Sequence, residues 1–202
     1  FIFLDTGAMY RALSWYLIEE KINYENHKDL NSFLRNITIA FKSGEGFKQN
    51  VIINNHNVTE KIRTQKISSI VSSIASIKEV REFLVKEQRK IGAEGGIVAE
   101  GRDIGSKVFP HAELKIFLTA TINERAKRRK NELEAMGRGT IDFEKLKNEI
   151  EQRDFEDSNR QISPLIKAKD AIEIISDDHT INQVVEKILE IYFETIPKEL
   201  HR

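Results

Sequence analysis

The sequence predicts an α/β fold in which a parallel sheet is flanked by helices and carries a small antiparallel-strand insertion. Two observations support this prediction. Four short apolar segments alternate with helical segments, and one further pair of alternating segments is separated only by a turn-like stretch. Parallel strands need helical crossovers, whereas strands joined by a short turn pair antiparallel. We therefore expect a parallel core sheet, covered on both faces, with a hairpin inserted into it.

The core strands are predicted from short apolar runs that end in polar or glycine-containing turns, a pattern typical of buried strands. These runs are Phe1–Leu4, Ile97–Glu100, Leu114–Leu118 and Ala171–Ile175. The hairpin is predicted from the alternation in Ile37–Phe41, the turn-like residues Ser43–Asn50 and the resumed strand Val51–Ile53.

The helices are predicted from apolar spacing and from capping residues. The first two are Ala8–Glu20, with Thr6 or Gly7 near the cap, and Glu60–Ile91, with a break near Ser76–Lys78. A basic helix follows the capping box Thr121–Glu124, and Phe143–Asn159 follows Asp142. The last helix begins with a capping box formed by Thr180 and Gln183. Strand and helix therefore alternate along most of the chain.

The composition excludes several classes of protein. The 202 residues contain 32 Lys and Arg against 32 Asp and Glu, so the formal charge of +0 argues against a dedicated nucleic-acid or membrane-surface binder. Because there are no cysteines, disulfide scaffolds, thiolate zinc sites and cysteine nucleophiles are excluded. No apolar run is long enough to span a bilayer. We expect a soluble protein of the reducing cytoplasm.

Two polar turns follow predicted strands, Asp5-Thr6-Gly7 and Gly101-Arg102-Asp103. Ligands of open parallel sheets bind beyond the carboxyl ends of the strands, so we expect both turns at one edge of the sheet. Asp and Thr are also favoured as helix caps, which leaves a purely structural role open for Asp5 and Thr6. For Arg102 and Asp103 we favour a functional role.

A second candidate site is formed by Arg153, Asp157 and Arg160, whose spacing places them on one helical face. Two guanidinium groups flanking a carboxylate suit a phosphorylated sugar, because arginine grips phosphate oxygens and the carboxylate accepts a ribose hydroxyl. The alternative is a solvated face of ion pairs that contributes a few tenths of a kcal/mol.

A dense basic segment, Arg125–Lys130, precedes Gly137 and Gly139. This arrangement suits a mobile lid that closes arginines onto a polyphosphate. A nucleic-acid patch is the competing interpretation, but aromatic residues are not interleaved with the basic ones. We favour the lid over the patch.

Other catalytic classes fit poorly. Asp5-Thr6-Gly7 matches the short aspartic-protease signature, but only one copy is present and those proteases are all-β. The five histidines, at positions 27, 56, 111, 179 and 201, lack metal-ligand spacing. Neither a Gly-x-Gly-x-x-Gly fingerprint nor a Gly-x4-Gly-Lys-Ser/Thr loop occurs in the chain.

Four motifs in the same order resemble those of bacterial cytidylate kinases. They are Leu4–Arg11, Ile62–Gln65, Glu100–Gly105 with Val108–Pro110, and Gln152–Pro164. The resemblance covers essentially the whole chain. It implies a P-loop nucleoside-monophosphate kinase fold, with residues 1–31 and 93–202 as the kinase core, a short helical lid at about 123–152, and residues 32–92 as the monophosphate-binding insertion.

The resemblance implies transfer of the γ-phosphoryl group of ATP to CMP or dCMP, which gives CDP or dCDP and ADP, with Mg²⁺ as the cofactor. Such a transfer depends on alignment and charge neutralisation, which suits a site built from arginines. It further implies a role in pyrimidine metabolism, small nucleotides as the partners, no nucleic acid or membrane partner, and a cytoplasmic monomer.

Site residues carry over from the resemblance by motif. The CMP phosphate would be held by Arg11, Arg102 and Arg160, and the ribose hydroxyls by Arg153 and Asp157, with Thr6 as a further candidate. Cytosine would be read by Ser72, Arg81 and Asp103, while Arg125, Arg128 and Arg129 would face ATP from the lid. The arginines expected to act in catalysis are Arg102, Arg153, Arg160 and Arg128.

One departure from the family pattern concerns the strand and glycine-rich phosphate loop that precede the Leu-Asp-Thr-Gly motif in the family. They are not among these 202 residues, so we expect a further segment upstream of Phe1 and expect the 202 residues alone to be inactive. A monophosphate-binding module without ATP activity remains the alternative, and a basic-helix nucleic-acid binder is a more remote one.

Overall fold

The computed structural model describes residues 1–44, 49–137 and 139–200. The chain forms two compact units, Phe1–Gly101 and a second that begins at Arg102. The predicted insertion 32–92 belongs to the first unit. Residues 45–48 of its predicted hairpin turn, and residue 138 of the predicted lid, lie outside the described residues.

The first unit is a small parallel pair of strands combined with helices and an antiparallel sheet. Its elements in chain order are β1 (Ile2–Asp5), α1 (Thr6–Glu19), α2 (His27–Leu34), β2 (Ile39–Ser43), β3 (Gln49–Ile53), β4 (His56–Asn57), a 3₁₀ turn (Lys61–Arg63), α3 (Gln65–Ser76), α4 (Lys78–Ile91) and β5 (Ile97–Glu100). The helical break predicted near Ser76–Lys78 is confirmed, since α3 and α4 are separated at Ile77.

The strand pairing of the first unit follows the predicted pattern. Strands β1 and β5 run parallel, with Asp5 opposite Glu100, so both strands end at the same edge. Strands β2 and β3 pair antiparallel from Ile39 opposite Ile53 to Ser43 opposite Gln49, and β4 extends this sheet. The predicted hairpin is therefore confirmed in its strands.

The core of the first unit lies around α1. Leu13 and Leu17 on α1 are completely buried, as are Ile53 on β3 and Leu84 on α4. Burying each such side chain contributes about 1.5–3 kcal/mol relative to leaving it in water. This packing fixes α1, and with it the polar residues at its amino-terminal end.

The second unit also contains a parallel strand pair. Its elements are a π-helical turn (Ile104–Val108), β6 (Ile116–Thr119), α5 (Ile122–Ala135), α6 (Phe143–Asn159), β7 (Ile172–Ile175), α7 (Ile181–Thr195) and a 3₁₀ turn (Lys198–Leu200). Strands β6 and β7 pair from Ile116 opposite Ile172 to Thr119 opposite Ile175.

The predicted N-caps of α5, α6 and α7 are confirmed, but the capping box predicted for α5 is only half formed, because the Thr121 N–H donates to Asp177. The side chains of Thr121 and Asp142 accept hydrogen bonds from backbone N–H groups in the first turns of α5 and α6. Thr180 and Gln183 form a complete capping box at the start of α7. These local bonds fix where each helix begins, because they satisfy N–H groups that have no partner within the helix.

The burial predicted for the core strands is wrong in part. Ile2 and Phe3 of β1 are 57% and 45% exposed, and Val98 of β5 and Leu118 of β6 are 54% and 53% exposed. The expectation was one sheet covered on both faces, whereas each unit holds a two-stranded parallel pair among the described residues. An apolar run indicates a strand but does not specify what covers its second face.

Replacing Thr180 with alanine is expected to lower the free energy of unfolding by about 1 kcal/mol, because the capping box at α7 loses its hydroxyl. Chemical denaturation followed by circular dichroism measures this change. The matched control is Thr195→Ala at the other end of the same helix, where no cap is lost. Equal stability of the two variants would contradict the assigned role of the capping box.

Among the described residues, none of the helices has the length and the apolar composition needed to cross a bilayer.

Candidate active site

Asp157 lies between two guanidinium groups in the second unit. Its Oδ2 accepts a hydrogen bond from Arg102 Nε at 3.2 Å, and its Oδ1 accepts one from Arg160 Nη1 at 3.0 Å. The Asp157 side chain is 7% exposed and that of Arg160 9%, whereas that of Arg102 is 45% exposed. The carboxylate thus fixes two arginines that come from segments more than fifty residues apart in sequence.

The predicted helical face is wrong in its detail. Helix α6 ends at Asn159, and Arg160 is the C-cap with extended backbone angles. Its side chain turns back to Asp157 and also donates from Nε to the Ser163 carbonyl at 2.7 Å. Arg153 is exposed on α6, whereas Asp157 is buried. A carboxylate flanked by two guanidinium groups is present, and Arg102 is a neighbour of Asp157 that the helical spacing did not predict.

Arg102 and Asp103 lead into an unusual turn. The carbonyl of Asp103 accepts from Lys107 N at 2.8 Å and from Val108 N at 3.1 Å, and the carbonyl of Ile104 accepts from Phe109 N at 2.7 Å. These bonds form the π-helical turn, a geometry that is rare and concentrated at functional positions. Asp103 is only 4% exposed. The carboxylate of Asp103 is therefore shielded from water, although it adjoins Arg102 in sequence.

The amino-terminal end of α1 carries a second ion pair, in the first unit. Asp5 is the N-cap of α1 and accepts from Ala8 N at 2.7 Å, which is the structural role left open for it, and Thr6 is the first helical residue. Arg11 Nη2 lies 3.0 Å from Asp5 Oδ2. Gly7 permits this approach, because a Cβ there would lie 3.0 Å from Arg11 Nη1. The Arg11 guanidinium is therefore placed over the helix terminus, where backbone N–H groups favour anions.

Thr6 is buried at the end of β1. Its hydroxyl donates to the Glu100 carbonyl at 2.6 Å and so links the ends of β1 and β5. The predicted meeting of the two strand ends at one edge is confirmed by this bond and by the register. Because its hydroxyl hydrogen is already used, Thr6 could meet a ligand only as an acceptor.

Arg81 is a buried arginine on α4. It is 2% exposed, donates from Nη1 to the Ala75 carbonyl at 3.0 Å, and lies over the Tyr10 ring with Cζ 5.2 Å from the ring centroid. Ser72 is partly buried on α3. The carbonyl at the end of α3 and the aromatic face hold the guanidinium in one orientation, which is what recognition of a base requires.

The three lid arginines have different environments. Arg125 Nη1 pairs with Asp154 of α6 at 2.5 Å, and Arg129 Nη1 pairs with Glu132 of its own helix at 2.6 Å. Arg128 donates to both the hydroxyl and the carbonyl of Ser176, at 3.0 and 2.5 Å. Arg128 is thus held at the carboxyl end of β7, while Arg129 makes a local surface pair.

Ser176 is a site residue that sequence reasoning missed. It is 3% exposed, its hydroxyl donates to the Thr119 carbonyl at 3.1 Å, and it accepts from Arg128. The signal that could have found it is the rule already used for the other polar turns, since Ser176 directly follows β7.

Asp177, the next residue, accepts hydrogen bonds from Thr121, the N-cap of α5. Hydrogen bonds from the hydroxyl and the backbone N–H of Thr121 lower the pKa of the Asp177 carboxyl below its ordinary value of 3.8.

A cavity of about 560 Å³ lies between α5, α6 and the segment after β7. It is lined by Thr121, Asn123, Glu124, Lys127, Phe143, Glu144, Lys147, Asp177 and Asp178. None of the predicted site residues is among them.

Asp177→Asn is expected to destabilise the protein at neutral pH and to have less effect in acid. A carboxyl whose pKa is lowered on folding adds stability above its unfolded pKa, and that stability is lost as the pH falls through the folded pKa. The gap in melting temperature between wild type and variant should therefore narrow from pH 7 to below pH 3.8. A gap that stays constant over this range would contradict the role of the Asp177 charge.

Comparisons with known proteins agree with these motifs. The model of the cytidylate kinase family matches residues 1–194. A bifunctional pantoate ligase/cytidylate kinase of Prochlorococcus marinus (strain MIT 9312) is 65% identical over 198 residues, which is 98% of this chain and 39% of that relative. The protein of the same name from strain NATL1A is 48% identical over 200 residues, 99% of this chain and 39% of the relative.

The chain therefore spans about two fifths of the length of these relatives. The family match confirms the predicted resemblance and the predicted fold class, an α/β nucleoside-monophosphate kinase fold with parallel strands and an antiparallel insertion. The motifs, the folded elements and both kinds of comparison agree, and the chain belongs to the cytidylate kinase family.

Proposed function

We propose that the complete protein transfers the γ-phosphoryl group of ATP to CMP or dCMP, giving ADP and CDP or dCDP. The single observation that supports this most is the contact of Arg102, Asp157 and Arg160, three residues that two separate motifs place at the substrate. The family match supports the same reaction class.

The proposed reaction joins two anions. An oxygen of the CMP phosphate attacks the γ-phosphorus of ATP, a new P–O bond forms, and the bond to the ADP oxygen breaks. Repulsion between the two reactants opposes this approach, so guanidinium groups that neutralise charge and align the phosphates lower the barrier. Arg102 and Arg160 are proposed to hold the CMP phosphate together with Arg11, while Arg153 and Asp157 meet the ribose.

Asp157 has a second proposed role, which is to orient its two neighbours. A guanidinium that already donates to a buried carboxylate keeps its remaining N–H groups pointed in fixed directions. Arg102 Nε is engaged by Asp157, and the side chain of Arg102 remains 45% exposed. Arg102 is therefore oriented and still accessible to a phosphate oxygen.

The base-reading residues are proposed to be Ser72, Arg81 and Asp103. A buried carboxylate at Asp103 would accept a hydrogen bond from the cytosine amino group, where uracil presents another acceptor. Arg125, Arg128 and Arg129 are proposed to serve the ATP phosphates. The contacts of Arg125 and Arg128 with Asp154 and Ser176 give those two side chains a defined position before ATP binds.

Magnesium is proposed to arrive with ATP as the co-substrate complex. The described residues hold no group of three or more His, Asp or Glu side chains that could form a metal site of their own. Mg²⁺ in such enzymes is commonly bound by substrate phosphates with only one or two carboxylates. A cytoplasmic monomer acting on small nucleotides, with no nucleic acid or membrane partner, completes the proposal.

A coupled ADP-release assay on the complete gene product tests this function, with CMP, dCMP, UMP, AMP and GMP as acceptors in turn. We expect CMP and dCMP to give the highest kcat/KM. The 202-residue segment is assayed beside it and is expected to be inactive, since it contains no Gly-x4-Gly-Lys-Ser/Thr loop. ADP release that no acceptor stimulates would refute the proposed reaction, and binding of CMP without turnover would favour the binding-module alternative.

A further inference from the structure

Lys115 is a buried lysine whose ammonium group bridges two loops of the second unit. Its side chain is 7% exposed, and Nζ donates to the Pro110 carbonyl and to Asp170 Oδ2, each at 2.6 Å. Burying an ammonium group is costly unless it is paired and hydrogen-bonded. The buried ammonium group of Lys115 therefore needs both hydrogen bonds to offset the cost of its burial.

The backbone of Lys115 is fixed by the sheet. Lys115 directly precedes β6, and its carbonyl accepts from Ile172 N of β7 at 2.9 Å. The side chain thus extends from a rigid base to the Pro110 carbonyl. A contact made from a strand end positions its partner more precisely than a contact between two loops.

The stem of Lys115 lies directly against the π-helical turn. A Cβ placed on Gly105 would lie 3.1 Å from Lys115 Cδ and 3.3 Å from Cγ. The lysine therefore touches the turn near its start, at Gly105, and beyond its end, at Pro110. A single side chain therefore contacts the segment after Asp103 at two places.

The charge of Lys115 is balanced from the solvent side. The hydrogen bond from Lys115 lowers the pKa of the Asp170 carboxyl below its ordinary value of 3.8, and Asp170 remains 65% exposed. Asp170 therefore stays ionised, whereas the contact inside the protein is made with a backbone carbonyl. Lys115 is linked to the segment after the turn by its hydrogen bond to the Pro110 carbonyl. The carboxylate of Asp170 balances its charge.

We propose that Lys115 is a positioning residue for nucleotide selection, which it achieves by holding the turn that follows Arg102 and Asp103. This inference rests on the proposed function, because a rigid turn matters for selection only if Arg102 and Asp103 bind the nucleotide. If this turn moved, the carboxylate of Asp103 would rotate away from the base that it is proposed to read, and a shift of about 1 Å in a site is enough to lose much of its activity. Lys115 itself does not touch the substrate.

Lys115→Met in the complete gene product tests the proposal, because methionine keeps most of the stem and removes the ammonium group. We expect the KM for CMP to rise about tenfold and the preference for CMP over UMP to fall, with the KM for ATP unchanged. The matched control is Lys167→Met, which removes another lysine–carboxylate pair of the same unit, with Glu173, without touching the turn.

Amide hydrogen exchange provides a readout that needs no activity. The amides of Lys107, Val108 and Phe109 form the bonds of the π-helical turn, so they should exchange faster in Lys115→Met, while those of β6 and β7 keep their protection. Gly105→Ala, which presses on the lysine stem, should give a smaller change of the same kind, and it replaces Lys115→Met if that variant does not fold.

Two results would overturn the proposal. One is unchanged exchange at the turn together with an unchanged CMP-to-UMP ratio. The other is an equal loss of protection throughout the unit with an unaltered ratio, which would mean that Lys115 serves stability alone. If wild-type protein shows no CMP kinase activity, the proposed function fails, and the exchange measurement still decides whether Lys115 holds the turn.

Discussion

Asp157→Ala is expected to lower the kcat/KM for CMP by about 100-fold or more, the largest effect of any single change considered. Asp157 accepts from both Arg102 and Arg160, and Arg160 is nearly as buried as the carboxylate. Removing the carboxylate takes away the contact that orients both guanidinium groups, and a misplacement of about 1 Å in a site can cost about 100-fold in rate. The substrate would also lose the proposed ribose contact. The ADP-release assay with CMP measures the effect.

The matched control for this variant is Glu156→Ala. Glu156 is the preceding residue on α6, and it is exposed. Its side chain accepts a hydrogen bond from Gln152, one helical turn away. It should retain wild-type kinetics. Asp157→Asn separates the charge from the shape, since the amide keeps the size of the side chain and one acceptor. Wild-type kcat/KM in Asp157→Ala would remove Asp157 from the site.

Asp103→Asn is expected to reduce the preference for CMP over UMP by about tenfold to 100-fold. Asp103 is 4% exposed, so a hydrogen bond that it makes to a base is shielded from water. Asparagine presents both an acceptor and a donor, and the donor suits the uracil oxygen that the carboxylate repels. The ratio of kcat/KM values for CMP and UMP is the relevant measurement, because it reports discrimination in the transition state.

Asp29→Asn serves as the control for this second change. Asp29 is exposed in the first turn of α2, and the substitution alters the net charge of the protein by the same amount. Its CMP-to-UMP ratio should equal that of the wild type. An Asp103→Asn enzyme with an unaltered ratio would show that the base is read by other groups.

Local structure was largely predictable because its causes are local. The starts of α5, α6 and α7 were predicted from Thr121, Asp142 and Thr180, and each of these side chains caps its helix in the structure. A capping residue acts on N–H groups two or three positions away, so its effect can be read from a short window of sequence. The hairpin and the break at Ile77 were predictable for the same reason.

The site was predictable in its residues but not in its pairing. Spacing predicted Arg153 and Arg160 beside Asp157, and it gave no sign of the contact that Arg102 makes with the same carboxylate. Helical spacing also failed at Arg160, because α6 ends one residue earlier and the chain extends. Contacts between segments so distant in sequence are set by how strands and helices pack, which no local pattern encodes.

Ser176 and Lys115 illustrate the part that sequence reasoning left out. A serine after a strand and a lysine before one are common in any chain, and neither type is conspicuous by itself. Their burial and their partners, Arg128 for Ser176 and Pro110 for Lys115, distinguish them from surface residues. Burial is a property of the packed fold, so it could not have been assigned in advance.

The amino-acid sequence by itself determined the family, the order of strands and helices, and the residue types available for binding phosphate and base. Those features depend on motifs, periodicity and caps, which act over a few neighbouring positions. Only the tertiary structure decided that Arg102 and Arg160 share Asp157, that Arg128 is held by Ser176, and that Lys115 donates to the Pro110 carbonyl. These pairings arise because packing brings distant segments together and removes water from between their charged groups. A buried charged group left without a partner would then cost roughly several kcal/mol, so the partners are fixed.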